Sequence, residues 1–438
     1  MKKSTFKSIA LIGLGLSIGL SSCKDDEEEI LPGNMHGNGN SNTPAFLQSE
    51  IDKLGAVTDI TIATTYDLSA SAALAPGAYN GQKTRLAQLT ELKSYTRDSI
   101  FNINFSDGLA KSNGFAFTSA DANITSADLR TKIDELNYDN GNTSVADDFA
   151  ALADSLTNAQ SVSMNAAANG TAGYSGRRHF SANGLEYAQI LEKGLYGAIF
   201  YDQMVDNYLR PTQAGAQNTK GNNSGQAGSD YATNGTGRQH RFDEVFGYFG
   251  ANPLTYPNAA NTSNGDGEFV ANYTFDFSDE VETAMDVNVA QKLMDAFLFG
   301  RSALKAGEGT TASNESTNET YYNAARADIK LYSEIGLATA AYHYLNDAIS
   351  DVNNADDLAK LHHLSEGIAF IYALSFNSEG LLSSSEAYNV LVALGWDASD
   401  RTLSGIYKMN LWNVTATQME QAKTLLDKAY PGFGDLPL

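Results

Sequence analysis

The chain has 438 residues, of which 29 are basic and 52 acidic, giving a net charge of −23 at pH 7. That balance repels phosphate backbones and anionic lipid headgroups, which excludes nucleic acid as a partner and excludes charge-driven binding to phospholipid. One cysteine excludes a disulfide framework, so the fold rests on core packing, and a chain of this length can bury a large core. Eight prolines, with abundant Ala, Leu, Glu and Gln, favour helices, and 38 glycines imply long polar loops between them. The expected fold class is all-α.

Lys2, Lys3 and Lys7 precede an apolar stretch from Ile9 to Leu20 and the run Leu20-Ser21-Ser22-Cys23. A basic start, a short apolar core and small residues at the cut make a secretory signal peptide over residues 1–22. The apolar run is too short to span a bilayer comfortably. Leu-Ser-Ser-Cys resembles a bacterial lipobox, in which the cysteine is lipidated and becomes the first residue of the mature protein. Each buried methylene of such an anchor adds about 0.8 kcal/mol of membrane binding. Lys24-Asp25-Asp26-Glu27-Glu28-Glu29 resembles the acidic export signal that sends some gram-negative lipoproteins to the outer leaflet. Loss of Lys2, Lys3 and Lys7 moves the net charge to −26. Residues 23–55 read as a lipidated tether, acidic at first and rich in Gly, Asn and Ser from Leu31 to Thr43, where too little apolar surface exists to fold.

The remainder, 56–438, reads as a helical domain. Val57 to Ile62 alternates like a strand, so a small N-terminal hairpin is expected, with a turn at Tyr79-Asn80-Gly81-Gln82. A helix starts at Gln82, carrying Leu86, Leu89, Leu92 and Tyr95. Shorter helices are expected over Asp121–Leu136 and Ser144–Thr157. From His179 to Leu209 the stripe Ala188, Leu191, Leu195, Ile199 predicts a stronger one. Gly194 and Gly197 on it imply close approach of another helix, because glycine inside a helix costs about 1 kcal/mol without a packing reason. Residues 211–239 and 251–274 read as exposed polar loops, with an aromatic island, His240 to Phe249, between them. Helices resume over Asp286–Leu304, Asn318–Ile349, Leu361–Ile371 and Thr415–Ala429, the last stopped by Pro431-Gly432. Helices of this length argue for bundles, with a break near 210–285 separating two.

Three constellations carry candidate chemistry. One is Gly184-Leu185-Glu186-Tyr187-Ala188-Gln189 with Gly194 beyond it. The second is His240 with Asp243 and Glu244. In the third, His362-His363-Leu364-Ser365-Glu366, spacings of three and four place an imidazole and a carboxylate on one helical face. The first run resembles imelysin-like proteins, which carry Gly-x-His-x-x-Glu on a helix and a glycine at the same later distance. Glu186 stands at the histidine position and Gln189 at the glutamate position. A closer resemblance is to a family of outer-membrane lipoproteins with an uncharacterised domain distantly related to imelysin. Tyr79 to Leu86, Glu91-Leu92-Lys93, Gly184 to Gly197, Phe242 to Phe249 and Leu361 to Ala373 carry it. It covers most of the chain after residue 55. The resemblance implies two helical bundles and a setting in iron-regulated uptake. A metallopeptidase activity has been proposed for imelysin-like proteins.

A catalytic zinc site needs three protein ligands and an open position. There is no His-Glu-x-x-His, and glutamine is a weak zinc ligand. An oxygen-rich set would suit calcium better, yet no EF-hand spacing occurs. Neither a Gly-x-Ser-x-Gly elbow nor a phosphate-binding glycine loop is present. The expectation is therefore a surface-exposed, ligand-binding lipoprotein set in iron or haem acquisition. Its candidate residues are Glu186, Gln189, His240, Asp243, His363 and Glu366, with a metal ion or haem as ligand and an outer-membrane transporter as partner. A glycan-binding lipoprotein, with Tyr248, Phe249 and Tyr256 stacking on sugar, is the alternative. A metal-dependent peptidase is disfavoured.

Overall fold

The computed structural model describes residues 43–97, 105–133, 145–162, 165–210, 231–251, 267–308, 312–400 and 403–437. Cys23, its flanking signal and the loop aromatic Tyr256 lie outside them. The first ordered segment makes two short 3-10 turns, Ala45–Leu47 and Asp52–Leu54. This part of the expected tether is docked on the fold. Leu47 and Ile51 are buried, and the Asp328 carboxylate accepts from Ser49 Oγ (2.6 Å) and from the backbone N–H groups of Glu50 and Ile51 (2.7 and 3.1 Å).

The expected N-terminal hairpin is absent. Residues 57–62 run without a strand beside them. Val57, Ile60 and Ile62 lie half-buried against the core, and the next N–H, of Ala63, goes to Ser302 Oγ at 2.9 Å. Alternation here reflects intermittent contact with the core and not ladder pairing. The one strand pair among the described residues is β1 (Gly173–Ser175) against antiparallel β2 (Arg178–Phe180).

The helices follow in chain order. α1 (Asn80–Arg97) buries Leu86, Leu89 and Leu92, the predicted stripe. Short α2 (Phe105–Ala110) and α3 (Arg130–Ile133) lead to α4 (Val145–Val162). Most of the helix expected over 121–136 is turn, and 134–136 lie outside the described residues. After the hairpin, α5 (Tyr187–Tyr196) is buried at every residue and runs on through π-helical turns at Gly197–Tyr201 and Gln203–Tyr208.

α6 (Tyr231–Asn234) and α7 (Gly237–Phe249) occupy part of the stretch read as loop. α7 begins with a capping box, Thr236 with Gln239, and stops at Gly250, whose φ of 88° favours glycine. Then come α8 (Val270–Asp276), α9 (Ser278–Met285), α10 (Val289–Ala306), α11 (Ala312–Asn353) and α12 (Asp357–Leu374). α13 (Ser384–Ala393), α14 (Leu403–Lys408) and α15 (Ala416–Ala429) complete the chain. The fold is all-α. No helix among the described residues is long and apolar enough to cross a membrane.

The 42 residues of α11 extend about 63 Å at 1.5 Å per residue. α10 and α12 pack along it, and α5 packs on α12. Buried apolar side chains from α1 to α15 form one contiguous cluster, to which α7, α8 and α9, all within the expected break at 210–285, contribute. Gly194 and Gly197 supply the close approaches that their place in a helix predicts. A Cβ on Gly194 would meet the Phe149 ring of α4, and one on Gly197 would lie 2.7 Å from Ala373 Cα of α12. Gly197→Ala gains up to about 1 kcal/mol of helix propensity, but overpacking against backbone costs about 1–3 kcal/mol. The expected result is a lower urea midpoint with unchanged helicity; a midpoint at or above that of the parent would contradict the packing.

Candidate functional site

A helix buried on every side has no place for charge unless the charge is matched from within. α5 nonetheless carries Glu192 and Lys193 at its centre and Gln189 one turn earlier, and Glu186 stands just before its first residue; all four are at most 2% exposed. Their partners come from neighbouring helices. The Lys193 ammonium lies 2.8 Å from Glu366 Oε1 of α12 and 3.3 Å from Glu192 Oε2, and it donates to Gln189 Oε1. Its fourth side faces the Tyr273 ring of α8, 5.5 Å from the centroid. Glu192 also pairs with Lys93 and, at 3.3 Å, with Arg97, both from α1.

At the N-terminal end of α5, His362 of α12 stands between two carboxylates. Its Nδ1 is 2.7 Å from Glu186 Oε2 and its Nε2 is 3.5 Å from Glu366 Oε2. Gln189 Nε2 donates to Glu186 Oε1 at 3.3 Å, and the Glu186 N–H donates to Ser365 Oγ at 2.9 Å. The cluster therefore joins α1, α5, α8 and α12 through a continuous run of charged contacts.

Burial by itself would raise the Glu192 carboxyl. Lys193, Lys93 and Arg97 overcome that and hold it below the usual carboxylate range. Glu366 behaves alike: burial raises it, and Lys193 and His362 bring it below. Burial disfavours the charged form of Lys193, but Glu192 and Glu366 raise it above the usual lysine range. The ammonium is thus fixed in its charged state.

Of the six sequence candidates, Glu186, Gln189 and Glu366 meet here. His363 faces away, its Nδ1 2.7 Å from Asp351 Oδ2. His240 and Asp243 lie on α7 in a separate cluster, with no hydrogen bond or ion pair to the first among the described residues. Asp243 and Arg301 are fully buried and paired at 2.7 Å, and Tyr66 donates to Asp243 at 2.8 Å. Arg301 Nη2 also holds the carbonyls of Leu74 and Pro76, each at 2.8 Å. His240 Nδ1 meets the Ala78 carbonyl at 3.1 Å. This second cluster pins residues 66–78 onto α7 and α10. The aromatic candidates Tyr248 and Phe249 are fully buried, so neither can stack on a sugar; they are a correction to the glycan reading. Sequence reasoning missed Lys193 and Glu192 and passed over His362. The available signal was the pair Glu192-Lys193 inside an otherwise apolar helix.

The first cluster does not fit a resident metal or haem. Glu186, Glu192 and Glu366 supply three negative charges, and Lys93, Arg97 and Lys193 supply three positive ones. Lys193 occupies the place between donors that a cation would take. Both nitrogens of His362 face carboxylates, leaving no free axial ligand. Among the described residues no group of three or more His, Cys, Asp or Glu is placed to hold a metal ion.

An open groove of about 680 Å³ lies elsewhere on the molecule, beside α1. Tyr79, Lys83, Leu86 and Glu91 line it, together with Gly250 and Glu268 beyond the end of α7. The Glu91 carboxylate is satisfied from within, by the N–H groups of Thr118 (2.6 Å) and Ser119 (3.0 Å).

A family model described as a domain of unknown function (DUF4856) matches residues 64–405, and the chain belongs to that family. No curated protein and no solved structure matches the chain.

Removing one member of a buried ion-pair set strands the others and costs about 3–5 kcal/mol. Lys193→Met is expected to lose stability of that order at pH 7, read by urea denaturation. Glu192 and Glu366 are depressed in the fold, so the stability they add is present above the ordinary glutamate value of 4.5 and is lost as pH falls through their depressed values. The acid-side loss should shrink in the variant. Equal stability and an identical acid profile would contradict the assignment.

Proposed function

We propose that this member of the DUF4856 family is a lipid-anchored binding protein displayed at the outer surface of a gram-negative outer membrane. It captures a small polar ligand for an uptake system and passes it to a transporter in the same membrane. The contrast between the closed charge cluster and the open groove carries this reading. The cluster spends every charge on the protein's own side chains and serves as scaffold. The groove presents polar and apolar surface to solvent, and its volume falls within the roughly 300–1,000 Å³ common for ligand sites.

The run Leu20-Ser21-Ser22-Cys23 and the acidic residues behind it support the anchor and the outward display. The imelysin-like resemblance supports the uptake setting. Iron or haem fits this setting as cargo, not as a resident group in the Lys193 cluster.

Labelling with a radioactive fatty acid, followed by protease treatment of intact cells, tests the anchor and its direction. The expected outcome is a labelled protein that protease removes from whole cells, and a Cys23→Ser variant that takes no label and leaves the membrane fraction. An unlabelled parent protein, or a labelled one protected in intact cells, would overturn display at the surface.

A further inference from the structure

The groove beside α1 is lined by two opposite charges that have no ion-pair partner among the described residues. Lys83 is exposed, and its ammonium stands 4.8 Å from the centroid of the Tyr79 ring. No carboxylate pairs with it among the described residues. Glu268 is exposed; its backbone N–H holds the Gly250 carbonyl at 2.9 Å and its carboxylate has no partner among the described residues. Most other charged groups near this surface are committed. Glu91 accepts from two backbone N–H groups and from Tyr95, and Lys93 pairs with Glu192.

The length of the groove is set by α1. Lys83, Leu86, Ala87, Thr90, Glu91 and Ser94 fall on one face of the helix and line the groove along its length. From Lys83 to Ser94 this face extends about 16 Å at 1.5 Å per residue. Leu86, Ala87 and Tyr79 supply apolar surface to the groove, and Thr90, Glu91 and Ser94 supply polar surface. Three glycines, Gly247, Gly250 and Gly267, line it without adding bulk.

We propose that this groove binds a short extended peptide with free termini, its carboxylate on Lys83 and its ammonium on Glu268. An extended chain advances about 3.3–3.6 Å per residue, so the α1 face that lines the groove has room for about four residues. One free cation and one free anion select a zwitterion over a ligand of a single sign, and the apolar surface of the groove accommodates small side chains. This specifies the ligand class of the binding function proposed above and rests on that reading. Although Glu268 is exposed, partial desolvation by the groove wall raises its carboxyl and Lys93 pulls it partly back, so peptide binding should weaken as acid protonates that carboxylate.

The test is isothermal titration of the lipidated mature protein in detergent with tetra-alanine, its N-acetyl form and its C-terminal amide. Free tetra-alanine should bind saturably, and each blocked form should bind at least ten-fold more weakly, since each loses one charge-assisted contact. Lys83→Gln should abolish discrimination between acid and amide, and Glu268→Gln should abolish discrimination between free and acetylated amine. These crossed effects would not arise from a merely structural role. Equal affinity for blocked and free peptides, or no saturable heat with a natively folded protein, would overturn the peptide assignment. If an iron salt or haem instead binds and the Lys83→Gln/Glu268→Gln double variant loses it, the peptide class fails while the groove stands as the binding site. If none of these ligands binds, the binding function fails with it.

Discussion

The fold depends on how one buried ammonium is held. α5 lies among α1, α4 and α12 with no face to solvent, and yet Lys193 sits at its middle. Burying an unmatched ammonium would cost far more than the whole stability of a domain can supply, so Glu192, Glu366 and Gln189 must close around it. Lys93 and Arg97 must then reach Glu192 from α1, and His362 must stand between Glu186 and Glu366. Each contact fixes the register of one helix against another. Replacing such a set whole by apolar residues is often nearly neutral, whereas removing one member is not. The network therefore selects one arrangement of helices more than it deepens the energy well.

The same closure bears on function. His362 of α12 is bonded to Glu186, and the ammonium of Lys193 is enclosed by Glu192, Glu366 and Gln189. These charges seat α5 against its neighbours. The groove beside α1 keeps its two unpaired charges on the surface, where water solvates them until something displaces it.

Much of the helical architecture was legible because its signals are local. The stripes on α1 and α5 follow the helical period, and Pro431-Gly432 marks the last helix end. Gly194 and Gly197 declared close contacts because glycine has no other reason to sit inside a helix. α7, α8 and α9 were obscured by surrounding Gly and Asn, and by Thr236 and Gln239, whose capping box looks polar and unstructured when read singly. Residues 57–62 misled because alternation records contact with a core, whether or not a ladder is present. The site was half legible. Glu186, Gln189 and Glu366 stood out as polar groups on apolar helices, but their relation to Lys193 and His362 depends on the packing of α5 against α12. Asp243 showed no sign of its role, because Arg301 lies 58 positions away in the chain.

The measurement that bears most directly on the central claim is elemental analysis by mass spectrometry of the purified mature protein, with its melting temperature taken before and after chelation. If Lys193 is the resident cation of the buried cluster, no metal will copurify in stoichiometric amount and chelation will leave the melting temperature unchanged. A stoichiometric metal whose removal lowers the melting temperature, and which is lost on Glu186→Gln, would contradict the account and make the cluster a ligand site.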